Sequence, residues 1–185
     1  MDRKGFLRKT CLAGVCGCGF GALTLKADDN VLADQETVNP MAQPWLINLL
    51  ENLDKNIDAA DLRKIIKMSA GIHYDQLKMD DLLSGYTGKL GDFTAFLEKE
   101  WGWKLAYDES TGVIMADENK TYCVCPVLKG SAATASPSIC YCSEGFAERI
   151  FSRVVGVPVT AQVVSSVRRG DASCVYRIEI PSGLV

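Results

Sequence analysis

Two matched pairs of cysteines, Cys123-Val124-Cys125-Pro126 and Cys140-Tyr141-Cys142, are the residues of this chain best suited to chemistry. Thiolates are the softest protein ligands and its strongest nucleophiles. In extended backbone, residues i and i+2 share a face. Each pair, if extended, therefore points its sulfurs the same way, and two such stretches facing each other bring four together. Cys123, Cys125, Cys140 and Cys142 would then suit tetrahedral Zn²⁺ or an iron–sulfur cluster. The same sulfurs allow three other uses. They can form disulfides across the intervening loop, since a bridge within Cys-x-Cys is strained. They can pack as small apolar groups. One can act as a nucleophile, and Cys142 is the candidate, because the helix expected from Ser143 places free N–H groups and a dipole beside it. Cys174 reads first as a core residue.

The remaining polar candidates carry less. His73 is the only histidine, so a Cys-His dyad has no other partner, and its place at a helix junction reads as structural. Asp171 sits in a turn, where aspartate bonds its own backbone. Glu144 falls near a helix start and reads as a dipole partner. Arg168-Arg169 reads as a solvated hairpin tip that can also meet an anionic ligand. Trp101 and Trp103 read as anchors of a helix-to-sheet junction. The chain has no phosphate-cradling glycine loop, no HExxH and no G-x-S-x-G.

Elements that position these residues follow from the apolar spacing. Pro44 opens a helix with Trp45, Leu46, Leu49, Leu50, Leu53 and Ile57 on one stripe. Asp58 caps a second helix that ends at Gly71, residues 74–83 make a third, and Asp92 caps a fourth carrying Phe93, Phe96, Leu97 and Trp101 up to Gly102. After residue 102 the period becomes two. Residues 103–107 and 113–116 form a hairpin about Gly112, and residues 120–127 form a third strand holding the first cysteine pair. A helix from Ser143 buries Phe146, Ile150, Phe151 and Val154 and closes at Gly156. Residues 157–167 and 173–180 make a second hairpin, with Cys174, Tyr176, Ile178 and Ile180 on one face. The expected class is α+β: helices, then an antiparallel sheet of β-β-β-α-β-β order with helices packed on one side.

Residues 1–27 read as an address. Arg3-Lys4-Gly5-Phe6-Leu7-Arg8 is a basic head resembling the twin-arginine export motif, with Lys4 in place of the second arginine. An uncharged run through Leu25 follows, too short and glycine-rich for a good membrane span. Export machinery is the expected partner of this segment, and the expected location is periplasmic or otherwise extracytoplasmic. Cleavage after Ala27 or Ala33, lipidation at Cys18, and retention as an N-terminal membrane anchor are the alternatives. Residues 28–43 read as a linker and 44–181 as a single domain. Beyond residue 27 the chain holds 15 basic and 22 acidic residues, a balance of −7. Such a surface repels phosphate backbones, so nucleic acid is not an expected partner.

The C-terminal third also resembles a known family. Cys123-Val124-Cys125-Pro126, Tyr141-Cys142-Ser143-Glu144-Gly145-Phe146, Gly156-Val157-Pro158-Val159 and the run from Ser166 through Gly170-Asp171 and Cys174 to Ile178 resemble the ending of the 4-vinyl-reductase-like domain. They resemble more closely a bacterial and archaeal family of unknown function related to it. The ending is also similar to that of the aminothiazoline-carboxylate hydrolases. The resemblance implies an α+β ligand-binding fold with a small molecule or metal ion at the cysteines. Its catalytic form is a thiol-dependent hydrolase of a small cyclic amide or thiazoline, and its non-catalytic form a disulfide-stabilised sensory module. Members often carry further cysteines at the end of an upstream helix. Met68-Ser69-Ala70-Gly71-Ile72-His73-Tyr74 has none, so roles needing those thiols are not implied here.

Overall fold

The computed structural model describes residues 39–128 and 136–181. The expected export segment 1–27, most of the linker and the small-residue loop 129–135 lie outside the described residues. The fold that follows belongs to the unit Val38–Val185. Among the described residues no helix is long and apolar enough to cross a membrane.

Helix α1, Ala42–Asn56, starts two residues before Pro44 and buries only Leu50. Leu46, Leu53 and Ile57 gather around Leu50, Leu62 and Ile66 in a small satellite core, while Trp45 at the head of the expected stripe is exposed. Helix α2, Ala59–Gln76, begins as expected: the Asp58 side chain accepts a hydrogen bond from the Ala60 N–H at 2.8 Å. It does not stop at Gly71. Buried Ala70 and Tyr74 continue its inward face across the glycine, and that packing outweighs a glycine penalty of about 1 kcal/mol. Tyr74 therefore belongs to α2, and a short α3, Met79–Leu83, replaces the expected third helix. Helix α4, Leu90–Phe96, starts before Asp92, which sits in its first turn instead of capping it. A π turn, Leu97–Trp101, follows, and Gly102 closes it at φ 71°.

Strands β1, Lys104–Asp108, and β2, Val113–Asp117, form the first hairpin, and β3, Thr160–Ser165, and β4, Val175–Glu179, form the second. The sheet is antiparallel throughout, in the order β1-β2-β4-β3. Gly112 turns the first hairpin at φ 69°, and a Cβ there would lie 2.5 Å from the Ile180 carbonyl oxygen. Burial alternates along the strands. Ile114, Ala116, Ala161, Val163, Tyr176 and Ile178 face the core, as Cys174 and Ile180 also do.

Residues 120–127 are not a strand. The sheet is bounded by β1 and β3, and residues 120–127 pair with neither of these edge strands. The Glu118 N–H extends the β2–β4 ladder by one bond, to the Cys174 carbonyl at 2.9 Å. The chain then leaves the sheet at Asn119, at φ 55°, whose N–H is held by the Asp117 carboxylate. Pro126, lacking an N–H, further disfavours a ladder. Among the described residues the order is therefore β-β-α-β-β.

Helix α5, Cys140–Val155, fills the space between α2 and the sheet, and Gly156 closes it in the left-handed conformation. It begins three residues before Ser143, on a 3₁₀ turn at Pro137–Ile139. Gly145 lies at the α2 crossing, where a Cβ would come within 2.2 Å of the Lys67 carbonyl oxygen. One regularity ties three elements together. Glu144, Glu148 and Ser152 of α5 accept hydrogen bonds from the backbone N–H groups of Val163, Ala161 and Val159 at 2.8, 3.0 and 2.9 Å. Four helical residues rise about 6 Å and two strand residues about 6.8 Å, so the steps nearly match. Arg63 and Lys67 of α2, also four apart, pair with Glu144 and Glu148. The free edge of β3 is thereby covered by side chains, which removes an exposed strand as a template for aggregation.

Candidate functional site

The loop between β3 and β4 builds the centre of the site. Ser166 caps a 3₁₀ turn at Val167–Arg169 by accepting the Arg168 N–H at 3.1 Å. Asp171 closes the loop, its carboxylate accepting the Ser166 N–H at 2.7 Å, and Gly170 turns the chain at φ 91°. Asp171 thus bonds local backbone, as its turn position implies. The loop points Arg168 inward, against expectation: only 2 % of that arginine is exposed. Its Nη2 donates to the Leu128 carbonyl at 2.9 Å and its Nε to Cys123 Sγ at 3.1 Å. Arg169 instead lies over the Tyr141 ring, 5.5 Å from its centre.

Cys123 is therefore the activated sulfur. A hydrogen bond from the Cys125 thiol and the positive charge and Nε–H of Arg168 outweigh partial burial, lowering Cys123 to about 5. Cys125 moves far in the opposite direction, because its proton is the one donated to Cys123. The pair holds one proton and one negative charge near neutral pH.

The second pair is differently placed. Cys140 and Cys142 stand in the first turn of α5, not in extended backbone, so their side chains do not project as a strand pair. Cys140 Sγ meets Ser166 Oγ at 3.0 Å, which joins it to the arginine loop. Cys142 packs between the main and satellite cores. Burial raises both thiols, and it outweighs the helix-start dipole that favours thiolate. Of the two sulfurs, Cys123 is the one held toward the thiolate form, and Cys142 is held toward the thiol. Among the described residues no group of three or more histidines, cysteines and carboxylates is placed to hold a metal ion. Cys123, Cys125, Cys140, Cys142 and Cys174 all stand outside any disulfide.

Beside Cys123 lies a buried polar pair that the sequence reading passed over. Tyr176 donates its hydroxyl to Glu118 Oε1 at 2.6 Å, and Glu118 Oε2 is buried without a hydrogen-bond partner. Burial raises both groups, Glu118 with further repulsion from Cys123. Period-two counting from Ile114 and Ala116 puts Glu118 on the inward face, which was the available signal. For Arg168 the Ser166-x-Arg168-x-Gly170-Asp171 pattern signals a closed turn, and the direction of its central side chain is set by packing. His73 stacks on Phe146 at 4.6 Å between α2 and α5, far from a dyad role. Trp101 and Trp103 pack edge to face at 5.6 Å, and Trp103 stacks on Tyr176.

A model described as a family of unknown function, DUF6144, matches residues 25–184. The chain belongs to this family. No curated protein matches it. The matched span takes in both cysteine pairs, the arginine loop and Glu118, so the site lies wholly within the family's shared region. Four of the cavities among the described residues, of about 340 to 810 Å³, have linings without a cysteine. Cys123 itself is partly exposed in its loop.

Proposed function

We propose that this is an exported ligand-binding domain whose Cys123 thiolate captures a small electrophilic molecule. The single observation that carries the reading is the buried Arg168 guanidinium, 3.1 Å from Cys123 Sγ. A buried cation beside a thiol favours the ionised sulfur at neutral pH, and the ionised sulfur is the reactive form. Cys125 holds a proton beside Cys123 that can pass to the ligand atom that takes up the electron pair as the S–C bond forms. The 4-vinyl-reductase-like resemblance supports small-ligand binding at these cysteines. The basic head and uncharged run of residues 3–25 support export.

The catalytic form of the same reading is hydrolysis of a small cyclic amide or thiazoline, with Cys123 as nucleophile. It draws support from the aminothiazoline-carboxylate hydrolase resemblance. The deciding experiment is alkylation by iodoacetamide across pH, with the modified residue found by mass spectrometry. Cys123 is expected to react first, and Cys123→Ser to lose the fast phase while Cys142→Ser keeps it. Reaction at Cys123 no faster than an ordinary free cysteine would remove the reading. Incubation with thiazolines and cyclic amides separates capture from turnover. Stoichiometric zinc or iron in anaerobically purified protein would replace both with a metal centre.

A further inference from the structure

An open groove of about 810 Å³ runs between α2, α5 and the edge of β3. It is a basic place on an acidic chain. Arg63, Lys64, Lys67 and Arg149 line it against two carboxylates, Glu148 and Glu179. Beyond residue 27 the chain as a whole carries a balance of −7. Most of the groove's charges are already matched. Arg63 pairs with Glu144 and Lys67 with Glu148, as part of the ladder, and Glu179 pairs with Arg177. Lys64 and Arg149 have no carboxylate partner among the described residues. Arg149 reaches from α5 over Gly71 of α2, where a Cβ would lie 3.4 Å from its Nη2. Gly71 follows Lys64 by seven residues on α2, a rise of about 10 Å. Two unneutralised cations thus stand a small molecule's length apart. Met68, Val159 and Ala161 add apolar lining that suits a hydrocarbon body. Ser152 also lines the groove, and since its Oγ accepts the Val159 N–H, its own proton remains to be donated.

A concave site with unmatched positive charge draws anions more strongly than open surface does. The ladder fixes the walls of this groove before any ligand arrives, so little ordering is lost on binding. We infer that the groove is a second ligand site, which takes a small organic molecule with two acidic groups. Arg149 holds one group by its planar fork, and Lys64 holds the other. The inference does not rest on the reading of Cys123, since no cysteine lines the groove.

Calorimetric titration with adipate (two carboxylates) and phosphoglycolate (a phosphate and a carboxylate) tests it. Saturable binding of either is expected, and the tighter of the two tells carboxylate from phosphate. That probe should bind about tenfold more weakly to Lys64→Gln and to Arg149→Gln. Both side chains are exposed, so neither change threatens the fold. Lys89→Gln removes the same charge from an exposed position outside the groove and should leave the affinity as it was. An equal loss in Lys89→Gln would reduce the effect to overall charge and overturn the site. Unchanged affinity in both groove variants would do the same, as would no saturable binding of either probe. Monomethyl adipate and methyl phosphate, each with one acidic group, should bind more weakly still, and equal binding by them overturns the two-group claim. Amide NMR gives an independent reading in the wild-type chain. The bound probe should shift the Met68, Gly145 and Ala161 signals, and shifts confined to the loop bearing Cys123 overturn the inference.

Discussion

Arg168 and Cys123 show how a residue's chemistry is set by its neighbours. Alone, a cysteine in a Cys-x-Cys stretch is an ordinary thiol. Here a donated hydrogen bond from Cys125 and a buried guanidinium make it an acid of about 5. Its alkylation rate should therefore hold steady near neutrality and fall as pH drops through that value. Arg168→Met removes the cation and should raise the midpoint by about one pH unit, a tenfold loss of thiolate below it. Arg168→Lys, which keeps a charge but not the planar Nε–H, should lie between. A rate profile unchanged in Arg168→Met would show that Cys125 alone sets the acidity. His73 allows a second test at this scale. Burial lowers its pKa, so the folded protein binds its proton less readily than the unfolded chain does. That contribution to stability is present above the unfolded value of about 6.5 and is lost as pH falls from there through the lower folded value. His73→Phe keeps the stack on Phe146 and should flatten the decline in melting temperature below that pH.

Among the elements, the α2–α5–β3 ladder carries the largest stake. Glu144 is 1 % exposed, accepts two bonds from Arg63 at 2.7 and 3.1 Å, and caps the Val163 N–H. The sequence reading placed it at a helix start as a dipole partner. The structure puts it one full turn inside α5, facing the sheet edge. Glu144→Ala leaves a half-buried arginine and a strand N–H without acceptors. The expected loss is about 3 kcal/mol in a denaturant titration. The uncovered edge of β3 should also promote self-association, seen by light scattering. A loss under about 0.5 kcal/mol with no association would mean that water replaces the carboxylate without penalty.

For the molecule as a whole, stability is unevenly distributed. α5 buries seven residues and contacts α2, α4 and the sheet, while α1 buries Leu50 alone. Hydrogen exchange should therefore open α1 at a lower free energy than α5, β2 and β4. Uniform protection across α1 and α5 would mean that the satellite core is energetically continuous with the main one.

Local rules settled much of this protein before any packing was known. Asp58 capped its helix, Gly112, Gly156 and Gly170 turned the chain, and alternation put Cys174, Tyr176, Ile178 and Ile180 on one face. These features follow from backbone conformation and period, which neighbouring residues in the chain determine. The paired cysteines were legible for the same reason: side-chain type is visible in sequence. Tertiary structure alone decided the rest. Residues 120–127 have strand spacing, but the chain turns off the sheet at Asn119, and which segments pair is a property of the sheet. Cys140 and Cys142 became helical because α5 starts where it can pack on α2 and the sheet. Which sulfur is acidic depended first on the local hydrogen bond that Cys125 donates to Cys123 and then on Arg168, 45 residues away in the chain, and a neighbour at that separation is fixed only when the chain is folded.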